Sequence, residues 1–163
     1  MSKETLVVFW SFTGSTKEVA LETARHLNAD VEELVDKTNW TGFAGSLNRA
    51  AKATVKGCSK RLEPTKFDPG NYKKIIILSP FWGPTVTPTV RTYLKDNKAK
   101  IDSIWLIVTY GYSSLDKCER EIKDMGYVLN GILGIKTGIS RKDGQMPNIG
   151  DYKPELHDFL KRI

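Results

Sequence analysis

At 163 residues and 40% hydrophobic content, the chain has the length of one ordinary domain and enough apolar side chains to bury a core without disulfides or metals, so a single domain over residues 1–163 is expected. Its 25 Lys and Arg against 19 Asp and Glu give a formal charge of +6, but the signs interleave, as in Lys117-Cys118-Glu119-Arg120-Glu121, which is the pattern of a solvated surface rather than a nucleic-acid-binding stripe. The longest apolar runs fall far short of the ~20 residues that span a bilayer, and Lys3 and Glu4 stand where a signal sequence would begin, so a cytoplasmic protein with no membrane and no nucleic-acid partner is expected.

The first element is a strand, the apolar run Leu6-Val7-Val8-Phe9-Trp10. It meets Ser11-Phe12-Thr13-Gly14-Ser15-Thr16 and then a helical pattern of Val19, Ala20, Thr23, Ala24 and Leu27. A helix start leaves its first amides unpartnered and carries the positive end of the dipole, so hydroxyls and N–H groups converge here on an anion. The stretch reads as a phosphate site. Asp30 to Val35 is a second short strand, with Asp36-Lys37-Thr38-Asn39 as its exit loop. Phe43, Leu47, Ala50, Ala51 and Thr54 recur at helical intervals. Arg49, Lys52, Lys56 and Lys60 fall on an adjoining face, which is either solvated or a docking surface for an acidic partner. Lys60 to Tyr72 carries Pro64, Pro69 and Gly70 and is expected as a loop.

Ile75 to Leu78 is a continuous apolar run of the kind buried on both faces, and it marks the sheet centre. Ser79-Pro80-Phe81-Trp82-Gly83-Pro84-Thr85 is expected as a rigid loop, with Thr87-Pro88 as N-cap and first-turn proline of a helix burying Val90, Tyr93 and Leu94. Ile104 to Thr109 is another buried strand and leads into Tyr110-Gly111-Tyr112. Ser113 and Asp116 resemble a capping box for a helix with Leu115, Cys118, Ile122 and Met125 on one side, which makes Cys118 a core residue. Ile132 to Ile139, interrupted by Gly134, gives the last strand, and Leu156, Phe159, Leu160 and Ile163 share one face of the final helix. Five β-α repeats predict an α/β fold, a three-layer doubly wound sandwich around a five-stranded parallel sheet.

In such a sheet ligands bind beyond the carboxyl ends of the strands, where the strand order reverses. Three loops lie there: residues 11–16, residues 79–85, and Thr109 with Tyr110, Gly111 and Tyr112. The first offers hydroxyls and amides, while Phe81, Trp82, Tyr110 and Tyr112 offer wide aromatic faces beside glycines, so the three together suit a flat, phosphorylated aromatic ligand. No GxGxxG or GxxxxGK[ST] follows a strand, and the strand ends Phe9-Trp10-Ser11 and Leu78-Ser79-Pro80 lack the acidic cluster of a phosphoacceptor receiver. No CxxC joins Cys58 and Cys118, and no ligand spacing surrounds His26 or His157, which are expected as surface or capping residues; no metal is expected.

Ser11-x-Thr13-Gly14-x-Thr16 resembles the phosphate loop of flavodoxin-like FMN-binding proteins of the short-chain kind. Ser79-Pro80-Phe81-Trp82-Gly83, followed by Pro88 and a helix, resembles their second flavin loop, and Tyr72-Lys73-Lys74-Ile75 resembles the lead-in to it. The resemblance covers nearly the whole chain in element order and implies the flavodoxin-like strand order 2-1-3-4-5. It implies FMN as cofactor, its phosphate held by the hydroxyls of Ser11, Thr13, Ser15 and Thr16 with the Gly14 amide. Phe12, Pro80, Phe81 and Thr109 would complete the three loops around the flavin. Trp82 and either Tyr110 or Tyr112 would flank the isoalloxazine, and Gly83 and Gly111 would let backbone approach its edge. The chemistry then belongs to the flavin and no catalytic side chain is required. Unlike the usually acidic electron-carrying flavodoxins, this chain is basic.

An FMN-binding electron-transfer protein is therefore the leading expectation, as monomer or dimer, with its redox partner open. An FMN-dependent NAD(P)H oxidoreductase of the quinone reductase type is the alternative. A non-redox module that binds a phosphate ligand or a protein is the third.

Overall fold

A computed structural model of the chain describes residues 3–42, 45, 57, 61–82, 85–111, 115–138 and 146–163. Its strands are β1 (Thr5–Phe9), β2 (Asp30–Glu33), β3 (Lys74–Trp82), β4 (Thr85–Val86), β5 (Ser103–Tyr110) and β6 (Val128–Lys136). Its helices are α1 (Ser15–Leu27), α2 (Pro88–Asp96), α3 (Asp116–Asp124) and α4 (Lys153–Leu160).

Every residue of β1 is buried, and successive side chains point to opposite faces of the sheet. Leu6 and Val8 enter a core closed by Val90, Tyr93 and Leu94 of α2 and Cys118 and Ile122 of α3. Val7 and Phe9 enter a second core closed by Val19, Ala20 and Ala24 of α1 and Leu156, Phe159 and Leu160 of α4. Helices on both faces are what let an apolar run without polar alternation become a central strand. Cys118 is a core residue, as its helical spacing with Leu115, Ile122 and Met125 predicts, and burial followed by the nearby Glu121 carboxylate pushes its thiol up to about 12.

The five parallel strands run β2-β1-β3-β5-β6, the expected order 2-1-3-4-5 once β4 is set aside. The sixth strand is the departure. Instead of ending at Leu78, β3 continues to Trp82 and pairs antiparallel with β4 through Phe81↔Val86 and Trp82↔Thr85. Aromatic residues suit a strand, and the hairpin satisfies backbone groups that would otherwise leave the parallel ladder unpaired. The expected rigid loop at Ser79 to Thr85 is thus largely a hairpin; Gly83 and Pro84 lie outside the described residues.

Other boundaries shift less. β2 ends at Glu33 rather than Val35, and β6 starts at Val128 rather than Ile132. Gly134 does not interrupt β6. A Cβ there would lie 2.7 Å from Tyr110 Cε1 and 2.9 Å from both Leu115 methyls, so the glycine makes room for packing across the sheet. Thr87 precedes α2 and Pro88 opens it, but no side chain caps the helix; the Thr87 hydroxyl lies 3.3 Å from Ser79 Oγ instead. α3 begins at Asp116 after Leu115 without a side-chain cap. Ser113 of the expected capping box, the helix at Phe43 to Thr54 with its basic stripe, and Cys58 lie outside the described residues. His26 and His157 stack with centroids 4.5 Å apart, and His157 Nε2 is 2.8 Å from Glu22 Oε1, which ties α4 to α1. Among the described residues no helix is long and apolar enough to cross a membrane.

Candidate functional site

The carboxyl ends of β1, β3 and β5 are adjacent in the sheet, so the three loops singled out by sequence meet at one edge. After β1 the chain turns at Gly14, whose φ of 106° is open to glycine and costly for other residues, and enters α1 at Ser15. No side chain caps α1. The first intrahelical bond runs from Glu18 N–H to the Gly14 carbonyl at 3.0 Å, so the amides of the first turn have no acceptor within the helix.

The hydroxyls around this turn divide into three roles. Ser11 Oγ accepts the Gly14 N–H at 3.1 Å and so shapes the turn. Thr16 Oγ1 is buried and lies 2.8 Å from Thr109 Oγ1 at the end of β5. Ser15 Oγ is buried without a hydrogen-bond partner among the described residues, although a hydroxyl out of water is costly unless it is paired. Thr13 is half-buried at the tip. An uncapped helix start, a glycine turn and an orphaned hydroxyl fit a phosphate group, and they do not fit the simpler role of helix capping. Lys17 is turned away and pairs with Glu33 at 2.7 Å.

The aromatic half is built by four rings. Trp82 packs edge-on against Trp10 at 5.1 Å, Trp40 at 5.2 Å and Phe12 at 5.6 Å. Trp10 and Trp40 are buried at 6% and 4% exposure, whereas Phe12 and Trp82 are half-buried and form the outer pair. Trp82 thus belongs partly to the α2-side core and partly to the surface between the loops. Pro80 stands in register with Thr109 across β3 and β5, which joins the second loop to the third.

Tyr110 is placed differently from Trp82. Its ring lies over Gly134 of β6 beside Leu115, on the side of β5 away from β3. Gly111 is half-buried, while Tyr112, the other candidate for a flanking ring, lies outside the described residues. Three further contributors escape the sequence patterns. Trp10 reads as the last apolar residue of a strand, and Trp40 follows a polar loop; only the adjacency of β2 and β1 brings them together. Met146, in the chain between β6 and α4, approaches Gly14, with Sδ 3.4 Å from where a Cβ would stand. Nothing in its polar neighbourhood signals that. Among the described residues no group of three or more His, Cys, Asp or Glu side chains is placed to hold a metal ion.

No protein-family model matches the chain. No curated protein matches it either. Solved structures do. A flavoprotein from Lactobacillus acidophilus NCFM, solved in complex with FMN, is 18% identical with a TM-score of 0.69, and the match covers 82% of this chain and 93% of that one. A protein from Bacteroides uniformis ATCC 8492 is 18% identical with a TM-score of 0.71 over 99% of both chains. The two-electron reduced flavodoxin of Megasphaera elsdenii is 20% identical with a TM-score of 0.54, covering 97% of this chain and 96% of that one. At these identities the likeness is one of fold, and the fold is flavodoxin-like.

Proposed function

We propose that the protein binds FMN non-covalently across the edge formed by the β1, β3 and β5 loops and serves as an electron-transfer protein. The observation that carries this is the uncapped start of α1, with Gly14 at φ 106° and the orphaned Ser15 hydroxyl, beside the half-buried Phe12 and Trp82 rings. That pairing supplies an anion site and an aromatic site at one sheet edge, in a fold that an FMN complex also adopts.

When bound, FMN supplies one- and two-electron chemistry that side chains lack. The chain's own groups bind and orient it. The first-turn amides, the Gly14 turn and the hydroxyls of Thr13 and Ser15 receive the phosphate, with Ser11 and Thr16 shaping the loop. Phe12 and Trp82, with Pro80 and Phe81, would form one wall of the ring site. Thr109 and Gly111, at the end of β5, would form the other, with the Tyr110 ring turned toward β6. Trp10 and Trp40 back the first wall and exclude water from behind it.

The test is a titration of the purified protein with FMN, followed by its visible spectrum. Bound FMN with perturbed absorbance is expected, and riboflavin should bind more weakly because it cannot use the α1 start. A chain that takes up neither would refute the proposal. Slow steady-state NAD(P)H oxidation by the loaded protein is expected of a carrier; rapid turnover with a quinone would assign the enzyme class instead.

A further inference from the structure

We infer that Arg91 and Glu121 are positioning residues for the aromatic wall: their buried ion pair holds the β3–β4 hairpin in the ring-binding conformation before any ligand arrives. The inference rests on the FMN reading for the identity of the ring, but the hairpin geometry is independent of it.

β4 has only two residues, and its ladder to β3 consists of Phe81↔Val86 and Trp82↔Thr85. A two-residue strand makes too few contacts to fix itself. The second anchor comes from the helices. Glu121 of α3 accepts the Val86 N–H through Oε2 at 3.0 Å, and Arg91 of α2 donates from Nη2 to the Val86 carbonyl at 2.9 Å. The two side chains meet at 2.7 Å between Arg91 Nε and Glu121 Oε1, and both are almost fully buried, at 2% and 3% side-chain exposure. Arg91 Nη1 also donates to the Gly57 carbonyl. Both backbone polar groups of Val86, the residue across from Phe81, are therefore held by one ion pair that spans two helices.

A buried ion pair is a poor device for stability, because desolvation offsets much of the attraction and well-packed apolar residues often serve as well. What an apolar pair could not do here is satisfy Val86. The pair's distinctive contribution is thus to the place of the hairpin. Local bonds finish the clamp: Thr85 Oγ1 donates to the Trp82 carbonyl at 3.2 Å, and Thr87 N–H donates to Ser79 Oγ at 3.1 Å.

The first measurement uses the native chain without ligand. Amide hydrogen exchange should show Val86 N–H protected to the level of the β3 core amides such as Ile77. Rapid exchange at Val86, slowed only when FMN is added, would overturn the inference. The second uses the double variant R91M/E121L, which replaces the pair by apolar groups of similar reach. It is expected to unfold at a lower urea concentration than the native chain, because the Val86 N–H and carbonyl lose their partners, and, under conditions where it stays folded, to bind FMN and riboflavin each about tenfold more weakly, the scale of one aromatic contact. Its Val86 amide should exchange rapidly. A folded double variant with native affinity for both ligands would also overturn the inference. Should R91M/E121L fail to fold, E121Q, which keeps one acceptor, must show the same parallel loss in lesser degree or the inference falls. If the native chain binds neither flavin, the proposed function fails, while the exchange experiment still decides whether the hairpin is preformed.

Discussion

Thr16 and Thr109 stand 93 positions apart in sequence and share a buried hydrogen bond, Oγ1 to Oγ1 at 2.8 Å. One belongs to the first turn of α1 and the other to the end of β5, strands β1 and β5 being the two neighbours of β3. The bond therefore ties the outer loops of the site across the middle one. Either hydroxyl can be the donor, so the Thr16 hydroxyl carries a structural bond whatever it offers a phosphate.

Thr13 and Thr16 should accordingly fail in different ways when replaced by alanine. Thr16→Ala leaves the buried Thr109 hydroxyl without its partner, a loss of about 1–3 kcal/mol in unfolding free energy. Thr13, half-buried at the tip, should cost little stability. In binding, Thr13→Ala should weaken FMN about 10- to 150-fold more than riboflavin, the equivalent of one hydrogen bond of about 1.5–3 kcal/mol to a charged group. Urea unfolding and paired flavin titrations separate the two effects; equal losses of both ligands in Thr13→Ala would contradict the phosphate assignment.

Gly134 offers a test of where Tyr110 sits. A methyl at this position would meet Tyr110 Cε1 at 2.7 Å and the Leu115 methyls at 2.9 Å, and these side chains must move to admit it. Gly134→Ala is expected to destabilise the chain by about 1–3 kcal/mol, the usual cost of overpacking. In a Tyr110→Ala background part of that cost should vanish, so a double-mutant cycle is expected to show coupling of about 1 kcal/mol. Strict additivity would mean that Tyr110 does not rest on β6.

Much of this arrangement is legible in sequence because burial on two faces leaves a plain trace. Ile75 to Leu78 and Ile104 to Val108 have no polar alternation, and the structure puts β3 and β5 in the middle of the sheet with their side chains shared between two cores. The glycine-and-hydroxyl turn before α1 is equally local, being dictated by φ at one residue and by the chemistry of a helix start. What escapes is set by tertiary partners. Ser79 to Thr85 reads as a rigid loop, yet β4 and the buried ion pair make the segment a hairpin. Trp40 and Met146 reach the site from distant segments, and no periodicity within their own stretches says where they end.

The link between α1 and α4 should make stability depend on acid. Hydrogen bonding from His157, and then from Arg25, holds the Glu22 carboxyl below its usual value of 4.5 in spite of its burial. A carboxyl with a depressed folded pKa contributes stability that is present above its unfolded pKa and is lost as pH falls through the folded one. The difference in unfolding free energy between the native chain and Glu22→Gln should thus be widest above the usual carboxyl value of 4.5 and should shrink as pH falls below it. Urea unfolding at a series of pH values measures it; a gap that widened on acidification would mean that the Glu22 contact does not govern this dependence.

Trp82 completes the test from the ring side. Its indole touches three aromatic neighbours at 5.1–5.6 Å, so Trp82→Ala would open a cavity among them and confound binding with folding. Trp82→Phe keeps an aromatic ring against Trp10 and Trp40 while shrinking the face available to a ligand, at a stability cost of about 1–3 kcal/mol. Because the substitution leaves Ser15, Thr13 and the α1 start untouched, FMN and riboflavin should lose affinity by the same factor. That is the reverse of the pattern expected for Thr13→Ala, in which the phosphate-bearing ligand alone suffers. The two variants together cut the site into its anion and ring halves. If Trp82→Phe discriminated between the two flavins as strongly as Thr13→Ala, the division of labour between the α1 start and the aromatic wall would be wrong.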